Sequence, residues 1–190
     1  MKRKNFFKRI LAGITMTLPL AIQAKQYVRT RIPKAFKVDA GKDRFGKSIS
    51  LFEGDTFFCK VSSKDTEGDI YMFESVRVRE GGPALHIHYN QDEWWYVLKG
   101  QFAVKVGEEV YQLKEGDSVF GPRGVPHCFA KLGEGEGRLL MFFQPAGKME
   151  EYFHAVSEGK LSNMSQEEAN NFRKAHGFER VGPPLGHLKQ

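Results

Sequence analysis

The chain has 190 residues, a length that one hydrophobic core can serve without splitting into several domains. Aromatic residues make up 13%, with 16 phenylalanines, which is enough large apolar surface to fill a compact interior and excludes a disordered chain. The formal charge of +6 is no nucleic-acid footprint: Lys2, Arg3, Lys4, Lys8 and Arg9 supply five of the six units, and the other charges alternate in sign without a block or stripe.

Residues 1–24 read as an export signal. The basic Lys2 to Arg9 stretch precedes a mostly apolar Ile10 to Ile22, and the small Ala24 stands at the cleavage position. That apolar run carries Gly13, Thr15, Thr17 and Pro19, which makes it too short and too polar for a stable membrane span. Arg3-Lys4-Asn5-Phe6-Phe7-Lys8 also resembles the twin-arginine export motif, with Lys4 where the second arginine would stand; an ordinary secretion signal and an uncleaved amphipathic helix are the alternatives. A cleaved signal implies a periplasmic or extracellular protein. Residues 25–45, with Pro33, form an N-terminal arm that could lie across a second copy, and a homodimer is expected. Cys59 and Cys128 each sit beside a phenylalanine, and two distant cysteines make no disulfide framework, so buried free thiols are expected.

From Phe36 to Gln144 apolar residues recur with period two between glycine-bearing turns, the pattern of many short antiparallel strands. Ile70, Met72, Val76 and Val78 alternate with Tyr71, Phe73, Ser75 and Arg77. Further strands are predicted over Lys47 to Phe52, Thr56 to Val61, Ala84 to Tyr89, Glu93 to Leu98, Phe102 to Val106, Val110 to Leu113, Ser118 to Phe120, His127 to Leu132 and Arg138 to Phe143. So many strands must close into a barrel or a two-sheet jelly roll to avoid long exposed edges, giving an all-β domain over residues 46–145. After Pro145 the composition turns helical, with Met149 to Glu158 and Ser165 to His176 as one or two short helices; Ser165 and Glu168 form a capping box and Gly177 stops the second. Residues 146–190 are thus expected to be a helical tail on the outside of the barrel.

His86 and His88 lie two apart on a predicted strand, so both imidazoles project to one face and can converge on one ion. Glu93 follows after a short turn. His127 begins another strand, just after the turn set by Pro122, Gly124 and Pro126. Three neutral imidazoles and a carboxylate suit one divalent transition metal (Fe, Mn, Co, Ni, Cu or Zn) with open positions left for a substrate. His154, His176 and His187 lie in the tail and read as ordinary core or surface histidines. Arg77, Arg79 and Arg123 could orient an anionic substrate, but exposed strand charges ordinarily face water, and no role is assigned to them.

The spacing of His86, His88, Glu93 and Gly100 resembles the first motif of the cupin superfamily, and that of Gly116, Pro122, Gly124 and His127 resembles the second. Two departures stand out: Gly81 and Gly82 sit closer to His86 than the leading glycine of the pattern, and Lys131 takes the place of the closing asparagine. The resemblance implies a cupin β-barrel, also described as a double-stranded β-helix. Pro83-Ala84-Leu85-His86, Asp92 to Leu98, the Pro122 to His127 turn and Gly182-Pro183-Pro184-Leu185 are similar to single-barrel quercetinase-like cupins. That likeness implies a metal-dependent dioxygenase acting on a flavonol or related small aromatic, with His86, His88, Glu93 and His127 on the metal. Glu93 would act as the catalytic general base. Phe102, Phe120, Phe129, Met141 and Phe142 are the expected apolar pocket wall. An isomerase or decarboxylase acting on a small oxygenated molecule, and a non-enzymatic metal or ligand binder, are the competing readings.

Overall fold

A computed structural model describes residues 34–51 and 54–187, so the export-signal reading and part of the arm lie outside the described residues. Two antiparallel sheets face each other. The first has the order β1-β2-β3-β10-β5-β8, from β1 (Ile49–Leu51), β2 (Asp55–Val61), β3 (Tyr71–Arg77), β10 (Gly137–Gln144), β5 (Asp92–Lys99) and β8 (Ser118–Gly121). The second has the order β11-β4-β9-β6-β7, from β11 (Phe178–Pro184), β4 (Ala84–His88), β9 (His127–Leu132), β6 (Gln101–Val106) and β7 (Glu109–Leu113). This is the jelly-roll arrangement expected from the strand pattern.

Register builds the core in layers. Met141 of β10 lies opposite Phe73 of β3 on one side and Trp95 of β5 on the other, and all three are buried. Phe102, Val104 and Phe129 answer from the second sheet. Burying each such side chain contributes roughly 1.5–3 kcal/mol, which fixes register, because a one-residue slip would turn the whole set outward. In β3 the inward set is Tyr71, Phe73, Ser75 and Arg77, whereas Met72 and Val76 are half-buried on the other face and Val78 is exposed. Arg77 can point inward because it forms a buried ion pair with Asp55, its cross-strand partner.

The tail forms the two expected short helices and adds a strand after them. Helix α1 (Met149–Ser157) sends Met149 and Tyr152 into the interior, and Phe153 packs on Phe57 at 5.1 Å and on Phe73 at 5.6 Å, so this helix closes the open side of the barrel. Helix α2 (Gln166–Ala175) begins at the expected capping box: the Glu168 amide donates to Ser165 Oγ at 3.2 Å and the Ser165 amide to Glu168 Oε2 at 2.8 Å. The chain then returns as β11, a strand at the edge of the second sheet and antiparallel to β4. Pro183 and Pro184 argue against a strand, yet an edge strand tolerates a missing N–H on its solvent side. Among the described residues no helix is long and apolar enough to cross a membrane.

Candidate metal centre

The second sheet delivers the histidines. His86 pairs directly with His127 across β4 and β9, with ring centroids 4.7 Å apart, and His88 follows two residues on along the same face. The first sheet delivers Glu93 near the start of β5, between Phe143 of β10 and Gly121 of β8. Gly124 ties the two motifs together: its backbone sits at φ +76°, open to glycine at little cost, and its N–H donates to the His88 carbonyl at 2.8 Å. Gly82 serves the entry to β4, where a Cβ would fall 1.8 Å from the Phe129 carbonyl oxygen. The shifted leading glycine is therefore a point of close strand approach.

The four side chains are brought together in the interior. Glu93 Oε2 lies 3.1 Å from His127 Nε2, 3.3 Å from His88 Nε2 and 3.7 Å from His86 Nε2. Their donor atoms all fall within 4.8 Å of one another, and all four residues are buried. Two carbonyls set the tautomers: His86 Nδ1 is 2.8 Å from Ala84 O and His127 Nδ1 is 2.9 Å from Val125 O. A carbonyl can only accept, so each Nδ1 carries a proton and Nε2 is the ring nitrogen turned toward Glu93. His88 has no hydrogen-bond partner on either ring nitrogen, and burial pushes its pKa down to about 4, so this imidazole is neutral near pH 7. Burial alone would raise the Glu93 carboxyl, but its contacts with His127, His86 and His88 override that and hold it well below the usual range. Three imidazole nitrogens converging on one buried carboxylate form a donor set whose charge a divalent ion would balance. The donor set is compatible with a single transition-metal ion, and among the described residues it is the only such cluster.

The cluster opens on a cavity of about 80 Å³ in the gap between the sheets, under α1. Phe129 and Met141 line it as expected. Phe102 is instead packed in the core, while Phe120 and Phe142 stack around Trp94 on the outer face of the first sheet. Period two had left the inward phase of those strands open. The remaining wall comes from residues the sequence reading missed, above all Tyr152, Phe178 and Arg180 from the tail. Phe178 and Arg180, spaced two apart straight after Gly177, are the strand signal that Pro183 and Pro184 obscured.

The other candidates find structural partners. Arg123 clamps Asp92 through Nε at 3.0 Å and Nη2 at 2.6 Å, and Arg77 is buried rather than facing water. Lys131 is buried and donates to the carbonyls of Leu132 and Gly133, replacing the expected asparagine with a bond inside its own turn. His176 is a buried helix cap whose Nδ1 bonds the Phe172 carbonyl at 2.7 Å, and His154 is exposed. Cys59 and Cys128 are buried free thiols, pushed up to about 12 and about 11 chiefly by burial. A larger groove of about 830 Å³ runs between residues 43–50 and α1, but among the described residues it holds no cluster of metal donors. Its buried Glu150 is taken up by Ser62 Oγ and the Ser63 amide, both at 2.9 Å.

Known proteins agree with this geometry at the level of the domain. Residues 67–143 match the cupin domain family, a span that holds all four clustered residues. A 68-residue stretch is 31% identical to the mannose-1-phosphate guanylyltransferase ManC of Salmonella typhimurium, covering 35% of this chain and 14% of that protein. A 95-residue stretch is 28% identical to protein SchB of Streptomyces halstedii, covering 49% of this chain and 69% of that protein. This chain thus spans only a small part of the guanylyltransferase. An RmlC-like cupin of Shewanella frigidimarina superposes with a TM-score of 0.49 at 19% identity, over 62% of this chain and 96% of that one. Both motifs that carry the four clustered residues lie inside the matched span, so residues 67–143 are similar to a cupin domain.

Proposed function

We propose that the protein is a metal-dependent cupin enzyme acting on a small oxygenated molecule. The observation that carries this reading is the convergence of three Nε2 atoms, two of them oriented by Ala84 O and Val125 O, on the buried Glu93 carboxylate. A bound divalent ion would polarise a coordinated substrate oxygen and make its hydroxyl more acidic. Glu93 is then the group placed to take that proton, in the role of general base. Phe129, Phe143 and Phe178 keep bulk water from the reacting atoms. The cavity of about 80 Å³ falls well below the roughly 300–1,000 Å³ of pockets that take drug-sized ligands, so a small substrate is favoured over a three-ring flavonol.

The test begins with bound metal on the purified chain, followed by O2 uptake and product analysis with flavonols, catechols and small hydroxy and keto acids. Stoichiometric metal with turnover of the small acids is expected. Oxygen uptake with flavonols alone would restore the quercetinase-like reading, and absence of metal under every loading condition would remove the enzymatic one. We further propose that the leader at residues 1–24 exports the protein and that it works as a homodimer through the outer face of the first sheet. Export predicts a mature N-terminus after Ala24 in the periplasmic or extracellular fraction.

A further inference from the structure

We propose that Arg180, backed by Tyr152 and the buried Arg173, forms an anion site at the mouth of the metal cavity, and that the substrate is a small carboxylate. This rests on the metal-dependent reading above and names its substrate class.

Register makes the first argument. Arg180 of β11 is the direct cross-strand partner of His86 of β4, as Phe178 is of His88. Partners in an antiparallel pair point to the same face with Cβ atoms about 4.5–5.5 Å apart, so the Arg180 side chain leaves the sheet beside a metal ligand and on the cavity side. Both Arg180 and Tyr152 line the cavity.

Charge makes the second. Arg44, Arg77, Arg123 and Arg138 each have a carboxylate within salt-bridge distance. Among the described residues no Asp or Glu stands that close to Arg173 or Arg180. Arg173 is only 4% exposed, yet its Nη1 is spent on the neutral Asn170 Oδ1 at 2.9 Å and its Nε has no partner. Burying the Arg173 guanidinium without a counter-charge is costly, and the exposed Arg180 lies near the same phenol. An anion entering beside Tyr152 would supply Arg173 with a counter-charge and Arg180 with a partner. Burial keeps the Tyr152 hydroxyl protonated, so it remains a hydrogen-bond donor to that anion.

Size and wall complete the case. The space is small and its other walls are largely aromatic, a low-dielectric setting in which a charge-assisted bond strengthens. A planar carboxylate matches the forked guanidinium of Arg180, and a second oxygen on a two- or three-carbon backbone would point toward the Nε2 cluster. Asp55 also lines the cavity, but its charge is held by Arg77.

The experiment titrates malonate, and its neutral analogue malonamide, into the metal-loaded full chain by calorimetry, with metal content measured in every sample. Wild type is expected to bind malonate and not malonamide. Arg180→Gln is expected to lose about tenfold or more in malonate affinity at unchanged metal content, with part regained in Arg180→Lys. Equal malonate affinity in wild type and Arg180→Gln, equal binding of malonamide, or no malonate binding by metal-loaded wild type overturns the anion site. Failure of the metal reading shows separately, as wild type that takes up no metal. The same titration on that metal-free chain then decides for the arginines if binding disappears in Arg180→Gln, and against them if wild type does not bind.

Discussion

Two backbone carbonyls, Ala84 O and Val125 O, decide which nitrogens of His86 and His127 face Glu93, and the consequences can be measured. His86→Ala or His127→Ala removes one of the four proposed ligands and should abolish stoichiometric metal by elemental analysis, while His176→Ala, which alters a helix cap, should keep it. Equal metal content in wild type and His86→Ala would refute the assignment. His88 gives a pH test on the metal-free chain. Its folded pKa of about 4 lies below the value of 6.5 for a free imidazole, so the unfolded state binds the extra proton between those values. Stability from this group is therefore present above pH 6.5 and is lost progressively as pH falls toward 4, by roughly 3 kcal/mol in all. Thermal melts should show that slope in wild type, flattened in His88→Gln; the same slope in both would exclude His88 as its source. The sequence identified these four residues because ligand chemistry demands particular side chains at particular intervals. It could not identify Ala84 or Val125, since a carbonyl acceptor carries no side-chain signature.

Elements were legible wherever their pattern was local. The strands from β2 to β10 follow from period two and glycine turns, and α2 from its capping box, because each signal sits within a few residues of what it specifies. What was hidden depends on contacts between distant segments: the inward phase of β3, the outward placement of Phe120 and Phe142, and above all β11. That strand exists because β4 offers it an edge, and its prolines mask it in isolation. It also packs against the candidate ligands, since the Phe178 ring lies 5.9 Å from His86, 5.3 Å from His88 and 4.8 Å from Tyr152. Phe178→Ala should cost about 3 kcal/mol or more, read by denaturant unfolding, and should loosen metal retention against a chelator. Unchanged stability would mean that the strand is an ornament on β4 rather than part of the barrel wall. Ser165→Ala, at the cap of α2, should cost only about 1 kcal/mol and leave metal retention unchanged, which separates general loss of tail stability from loss of the wall.

At the scale of the whole molecule, one surface remains to be accounted for. On the outer face of β5, Trp94, Tyr96 and Leu98 are 39%, 42% and 42% exposed, and Phe120 on the neighbouring β8 is 48% exposed. Trp94 stacks on Phe142 at 5.4 Å and meets Phe120 at 5.6 Å, so the patch is continuous across three strands rather than scattered. Monomeric proteins seldom leave such a contiguous apolar area bare. β8 also closes the sheet edge, so its free backbone groups adjoin the patch. A second copy meeting this face through a two-fold axis would cover both patch and edge at once, and the metal cavity, lying inside the barrel, would stay accessible. Light scattering across a micromolar concentration series should therefore give twice the chain mass for wild type and the chain mass for Trp94→Glu, with metal content equal in the two. A wild-type chain that stays monomeric over that range would defeat the dimer. A Trp94→Glu chain that stays dimeric would move the interface elsewhere on the barrel.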